Sequence, residues 1–249
     1  MKTPEYIEFL KTRISPSVKP EVAKLMIEYA LTPEEHEMVR KNIEQYCFTG
    51  MHPEENPKLY LIIAQTGGGK SSLTSNILKN NPNTVVIDSD AFKAFNPKRQ
   101  IISAKYPTLY GYLTGIDAYL HRDEIYKSAL EKGYNVLIEI APSTKERLFT
   151  IDFEELKHYG YAVDANILAV SLANSLLSVH ERFEGQIEAK MAAPKLTDFK
   201  RANDSFNAVD LVLEDLIKMP EVDLSIWQRG KDLVETSFDG YEEREIPQP

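Results

Sequence analysis

Gly67, Gly68 and Gly69 are followed by Lys70, Ser71 and Ser72 and preceded by Gln65 and Thr66. In this order, these residue types suit the binding of phosphate. Glycines let backbone N–H groups converge on anionic oxygens with no side chain in the way. The lysine can reach β- and γ-phosphates, and the Ser71 hydroxyl can ligate Mg²⁺. The flanks fit the same use. Leu59–Ala64 is an apolar run of the kind that forms a buried parallel strand, and Leu73, Ile77 and Leu78 recur at helical spacing. Strand, glycine loop, Lys-Ser and helix together make the phosphate-binding loop of an NTPase or kinase, with the positive end of the helix offered to the anion. One position departs from the pattern: Ala64 stands where the leading glycine is usual. A single methyl is tolerable there if the backbone is β-like.

Further chemistry is carried by acidic and basic residues at other predicted strand ends and on a predicted helix. Asp88 and Asp90 follow the apolar run Thr84–Ile87. Each carboxylate can hold Mg²⁺ or take the proton of an attacking hydroxyl; a helix N-cap is the structural alternative. Glu139 ends another apolar run, where burial demands a metal, a substrate hydroxyl or a basic partner. Arg182, in His180-Glu181-Arg182, can stabilise charge on a transferring phosphoryl group or can simply be solvated. Lys190, Lys195, Lys200 and Arg201 are rival cations nearby in the sequence.

The elements that would position these residues alternate. Strands are predicted at 59–64, 84–87, 135–140 and 165–170, with two more in the tail at 224–228 and 233–238. Helices are predicted after Lys70, at 116–132 (ended by Gly133), near 153–159, at 172–192 and at 195–219, and a short one around Phe92 and Phe95 stops at Asn96-Pro97. Pro107, Gly111 and Gly115 read as breaks. The expected fold is α/β: a kinase-type parallel sheet with helices on both faces and ligands beyond the carboxyl ends of its strands. Residues 1–57 read as a helical N-terminal extension and 58–249 as the core. In the extension, Thr32-Pro33-Glu34-Glu35 is a capping box, opening a helix with Met38, Val39, Ile43, Tyr46 and Cys47 on one side.

Hydrophobic residues make up 43% of the chain and charged residues 27%, an ordinary balance for a globular protein. A net charge of −9 argues against a nucleic-acid backbone as the main partner. Cys47 is the only cysteine, so no internal disulfide forms and a reducing compartment fits. The N-terminal residues contain no apolar signal segment and the chain no membrane span, which makes the cytoplasm the expected location.

Together, four motifs resemble the zeta toxin family of small-molecule kinases over roughly residues 48–215: Gln65–Ser71; Ile87-Asp88-Ser89-Asp90-Ala91-Phe92-Lys93 with Asn96-Pro97; Gly133–Glu139; and His180-Glu181-Arg182-Phe183-Glu184. The resemblance implies ATP and Mg²⁺ as cofactors and UDP-N-acetylglucosamine, or a related sugar nucleotide, as the acceptor. It also implies Asp90 as the base, Lys70 and Ser71 on phosphates and metal, Arg182 on phosphate, and Asp88 and Glu139 on substrate. Residues 65–72 would cradle the nucleotide. The chain departs from the family at Glu139-Ile140-Ala141, where Glu-Gly-Thr is usual, and at Met191, near an expected second lid arginine for which Lys190 or Arg201 is a substitute. A kinase for another hydroxyl, on an antibiotic or a nucleic-acid end, and a nucleotide-binding pseudokinase are the alternatives. Relatives often pair with an antitoxin that blocks the nucleotide site. Residues 1–47 could do this in cis, with glutamates at 21, 28, 34, 35 and 37 mimicking phosphates, or could only pack.

Overall fold

A computed structural model describes residues 2–142, 151–191, 196–197, 199–229 and 241–245. They fall into two units. One gathers the described residues of 50–86, 129–190 and 194–249; the other gathers those of 1–49 and 87–128, with residue 191.

The first of these is built on a sheet. Its strands are β1 (Lys58–Ile63), β2 (Thr84–Ile87), β3 (Asn135–Ile140), β4 (Ala162–Ala169), β5 (Val222–Arg229) and β6 (Tyr241–Glu245), in the order β2-β3-β1-β4-β5-β6. Five strands are parallel and β6 runs antiparallel to β5. β1 is the centre: Ile63 lies abreast of Ile140 on one side and Ile167 on the other. The strand order reverses at β1, and such a switch point opens a crevice at the strand's carboxyl end. From Leu59 to Ile63 β1 is fully buried, as an apolar run flanked on both sides must be. Helix α4 (Lys70–Asn80) lays Leu73 and Ile77, one turn apart, into a cluster with Tyr60, Ile62, Ala64, Leu137, Leu168 and Val170. The other helices of this unit are α8 (Phe153–His158), α9 (Leu172–Glu188) and α10 (Phe199–Leu216).

β2 and β3 have the bounds expected from the sequence. β4 begins three residues earlier than its apolar run, because Ala162 to Asp164 pair with Lys58 to Tyr60 although two of them are not buried. β6 was not expected: Tyr-Glu-Glu-Arg-Glu has no apolar alternation, and it is added to β5 by main-chain pairing. The strand expected at 233–238 lies outside the described residues.

The other unit is helical. Its elements are α1 (Pro4–Thr12), α2 (Pro20–Tyr29), α3 (Pro33–Phe48), α5 (Ser89–Phe92), α6 (Arg99–Lys105) and α7 (Tyr110–Glu131), whose last residues belong to the sheet unit. Leu10 and Met26 from the first two helices pack with Ile102 of α6 and with Leu113, Ile116 and Leu120 of α7. The capping box forms: Thr32 Oγ1 accepts from the Glu35 N–H at 3.3 Å and Glu35 Oε2 accepts from the Thr32 N–H at 2.8 Å. Lys98 Nζ also meets Glu35, at 2.9 Å. Asp117 is buried on α7 and accepts from the Leu31 N–H with both oxygens at 3.2 Å. Burial pushes its carboxyl up to about 6 against the opposing pull of that hydrogen bond and of His36, Lys98 and Lys2.

Two expectations are corrected here. α3 buries Val39, Ile43 and Cys47, but Met38 is 54% and Tyr46 65% exposed, so the apolar face is narrower than the residue types implied. α7 begins at Tyr110 and runs through Gly111 and Gly115 instead of starting at 116. From Leu113 to Ala118 every residue is buried, so no polar stripe marks the helix in the sequence, and packing outweighs a glycine cost of about 1 kcal/mol each. Among the described residues no helix is long and apolar enough to cross a membrane.

Candidate active site

The loop between β1 and α4 is held by groups far away in the chain. Gln65 is buried, and its Nε2 donates to the Val170 carbonyl at 2.5 Å and to Ser175 Oγ at 2.8 Å. Its side chain therefore anchors the loop to the start of α9, and only its backbone remains for a ligand. The Gly68 N–H closes back on the Gln65 carbonyl at 3.0 Å. Gly67 and Gly69 have φ of +81° and +90°. A Cβ at Gly67 would lie 2.2 Å from the Ser175 carbonyl oxygen and 2.9 Å from Val179 Cγ2; one at Gly68 would lie 2.8 Å from Ala64 Cβ. The loop is thus a cradle that only glycines fit, and Ala64 is accommodated because its neighbour Gly68 has no side chain.

This supports a direct prediction. Gly67→Ala combines a left-handed φ with a backbone clash and is expected to lower the melting temperature by several degrees, at about 2–4 °C per kcal/mol. Nucleotide binding should weaken by roughly tenfold or more. Gly185→Ala on α9, with nothing within 4 Å of the added methyl, should do neither. Both are checked by thermal melts and calorimetry.

Lys70 opens α4. Its Nζ turns back to the carbonyls of Ala64 at 3.3 Å and Gln65 at 3.4 Å. Desolvation lowers its ammonium to about 8; Glu139 pulls the other way, and Arg182 and Arg201 add to the depression. A lysine so destabilised as a cation gains most when an anion arrives. Glu139 sits opposite Ile62 in the register of β3 on β1, and its Oε1 accepts from Thr74 Oγ1 at 2.5 Å. Thr74, on the same helix as Lys70, gave no signal in the sequence beyond being a helical threonine. Arg182 is exposed on α9. Arg201, on α10, donates to the Ala141 carbonyl at 3.4 Å, just past β3. Of the rival cations, Arg201 is thus beside the strand end that carries Glu139. Lys200 instead pairs with Asp204 at 2.6 Å, Lys190 stands exposed at a φ of 52° beyond α9, and Lys195 lies outside the described residues. Lys70, Glu139, Arg182 and Arg201 therefore form one electrostatic group around the loop. Ser71 and Ser72, in the first turn of α4, are exposed and half-buried.

Asp88 and Asp90 belong to the helical unit. Asp88 caps α5, its Oδ1 accepting from the Asp90 N–H at 2.8 Å, which is the structural role weighed for it above. Asp90 is exposed and pairs with Lys93 Nζ at 2.5 Å, an i, i+3 contact on one face. Lys93 is largely buried, with its side chain 11% exposed, so it holds a carboxylate at the surface from below.

Known proteins resemble this chain in sequence and in fold. Two curated relatives described as toxin zeta, from Enterococcus hirae and Streptococcus pyogenes, are 31% and 30% identical over 147 residues, 57% of this chain in each case. The chain spans about half the length of these relatives, 50% of each. A solved structure from work on the PezAT chromosomal toxin-antitoxin system of Streptococcus pneumoniae superposes with a TM-score of 0.69 at 19% identity, covering 85% of this chain and 80% of the other. One of an AvrRxo1-ORF1:AvrRxo1-ORF2 complex with sulphate ions gives 0.55 at 15% identity, covering 98% and 71%. At these identities the two structures speak for the fold. The family model described as zeta toxin matches residues 43–233, and since that stretch holds the whole cradle, its lysine and the residues around it, the chain belongs to the zeta toxin family.

Proposed function

We propose that this protein is a kinase that transfers the γ-phosphate of ATP to a hydroxyl of a small molecule, a sugar nucleotide such as UDP-N-acetylglucosamine. The observation that carries this is the desolvated Lys70 in a glycine cradle, with Glu139, Arg182 and Arg201 acting on it. Phosphoryl transfer needs positioning and charge stabilisation more than covalent help from the protein, and these groups are of that kind. Backbone N–H groups of residues 65–72 hold the phosphates, Ser71 ligates Mg²⁺, and Lys70 neutralises the β- and γ-oxygens. Arg182 meets charge on the transferring group, and Arg201 serves as the second lid cation. Asp90, paired with Lys93, takes the acceptor's proton. Glu139 binds the acceptor, and Asp88 positions the helix that carries Asp90. Residues 58–249 are the kinase core and 1–57 its extension.

An antitoxin is the proposed protein partner, in keeping with the toxin-antitoxin system named for one structural neighbour. Inhibition in cis by residues 1–47 draws less support. Glu35 is paired with Lys98, and Glu37 with Arg40 and Lys41, so both of these carboxylates are already engaged.

The test is mass spectrometry of a metabolite extract incubated with the protein, ATP and Mg²⁺. One added phosphate on a UDP-amino sugar supports the proposal. A phosphate on another hydroxyl compound keeps the kinase and replaces the acceptor. ATP binding with no phosphorylated species marks a pseudokinase.

A further inference from the structure

The helical unit contains a second group of residues suited to ligand chemistry, and the proposed reaction does not use it. His36 on α3 and His121 on α7 stack with ring centroids 4.0 Å apart and planes 21° from parallel. Both face Glu124, one turn along α7 from His121. His36 Nε2 lies 2.9 and 3.1 Å from the two carboxylate oxygens, and His121 Nδ1 lies 3.6 Å from Oε2. One ligand atom from each of the three lies within 4.8 Å of the others. His121 is only 1% exposed, yet neither of its ring nitrogens has a hydrogen-bond partner, and His36 Nδ1 is buried without one as well. Buried polar nitrogens without a partner are rare in native folds, and a metal ion at His121 Nδ1 would supply the partner that this nitrogen lacks.

We propose that His36, His121 and Glu124 bind one divalent transition-metal ion, Zn²⁺ or a first-row neighbour such as Co²⁺ or Ni²⁺. Bonds of about 2.0–2.1 Å in a tetrahedron place ligand atoms roughly 3.3 Å apart. The separations of 2.9 and 3.6 Å lie on either side of that spacing. The rings stack too nearly parallel to aim at one point as they stand. Binding therefore requires one ring to turn about χ2, a soft torsion in histidine. Two imidazoles and a carboxylate are borderline donors that favour such ions over Mg²⁺, which prefers oxygen ligands. The site is therefore chemically distinct from the proposed nucleotide metal. Glu124, with its side chain 43% exposed, leaves the fourth position on the solvent side for water. The ion takes the place of the hydrogen between His36 Nε2 and Glu124. It pins the start of α3 to α7. His36 precedes the residues matched by the family model, which start at 43, so this pin reaches beyond the matched part of the chain.

Full-length untagged protein, stripped with a chelator, is titrated with ZnCl₂ by calorimetry and with CoCl₂ by visible absorption. The expected result is one ion per chain at micromolar affinity or tighter, tetrahedral Co²⁺ bands, a higher melting temperature, and no competition from excess Mg²⁺. Glu124→Gln should fold, because the side chain is partly exposed, and should bind Zn²⁺ at least about tenfold more weakly. His121→Leu should lose the Co²⁺ bands; if it does not fold, His36→Gln takes its place. Absence of Zn²⁺ binding, or one-to-one binding that all these variants retain, overturns the proposal.

Discussion

Lys70→Ala is expected to abolish measurable ATP binding while leaving the protein folded. In the free protein the Lys70 ammonium donates to two loop carbonyls, at 3.3 and 3.4 Å, and is desolvated there, so its removal costs the fold little. The same feature makes wild-type binding pH-dependent. Lys70 titrates near 8 instead of its ordinary 10.5. Its lowered value means that the folded protein is disfavoured where the lysine is charged, below about 8, and gains stability as pH rises from there toward 10.5. Nucleotide binding runs the opposite way. Phosphate oxygens favour the ammonium and raise its pKa in the complex, so above about pH 8 binding takes up a proton and weakens as pH rises. Between about pH 7 and about pH 9 the dissociation constant should increase roughly tenfold. Calorimetry in two buffers of different ionisation enthalpy reads both the affinity and the proton uptake. A wild-type affinity that is flat with pH, or an alanine variant that binds ATP normally, would sink the assignment of the loop.

Asp90→Asn should retain ATP affinity but transfer phosphate about 10²–10⁴-fold more slowly, the usual range for removing a general base. The amide preserves the shape of the side chain and loses both the basic oxygen and the ion pair that Lys93 makes at 2.5 Å. Lys93→Ala separates these losses: it leaves the proposed base in place without its cation and should cost much less at neutral pH. Asp88→Asn is the informative control. Asparagine caps a helix about as well as aspartate, so this change should cost little stability and little of the chemical step. If Asp88→Asn stopped transfer and Asp90→Asn spared it, the two roles would be exchanged. Single-turnover measurements separate the chemical step from nucleotide binding.

Much of the scaffold was legible because local pattern and global fold agree. The run at β1 is continuous because the strand is covered by neighbours on both sides, and the capping box at Thr32 involves only four consecutive residues. Where burial surrounds an element, the signal fails. α7 is buried nearly all round between Leu113 and Ala118, so its glycines looked like breaks, while α3 carries Met38 and Tyr46 on its apolar side and leaves them in solvent.

The sequence by itself determined the sheet's alternation with helices, the glycine cradle and Lys70, because each depends on residues within one turn or one strand of one another. Tertiary structure decided what those residues can do. Gln65 spends its side chain on Val170 and Ser175, more than 100 positions away. Gly67 must be glycine because the Ser175 carbonyl is packed against it, and Glu139 has its partner in Thr74, 65 residues earlier. Arg201, one basic residue among several in its stretch, acquires its place by reaching Ala141. His36 becomes a candidate ligand only through His121 and Glu124, which no spacing in the chain connects to it. Such contacts are set by how helices cross and strands register, and side-chain chemistry read along a line contains neither.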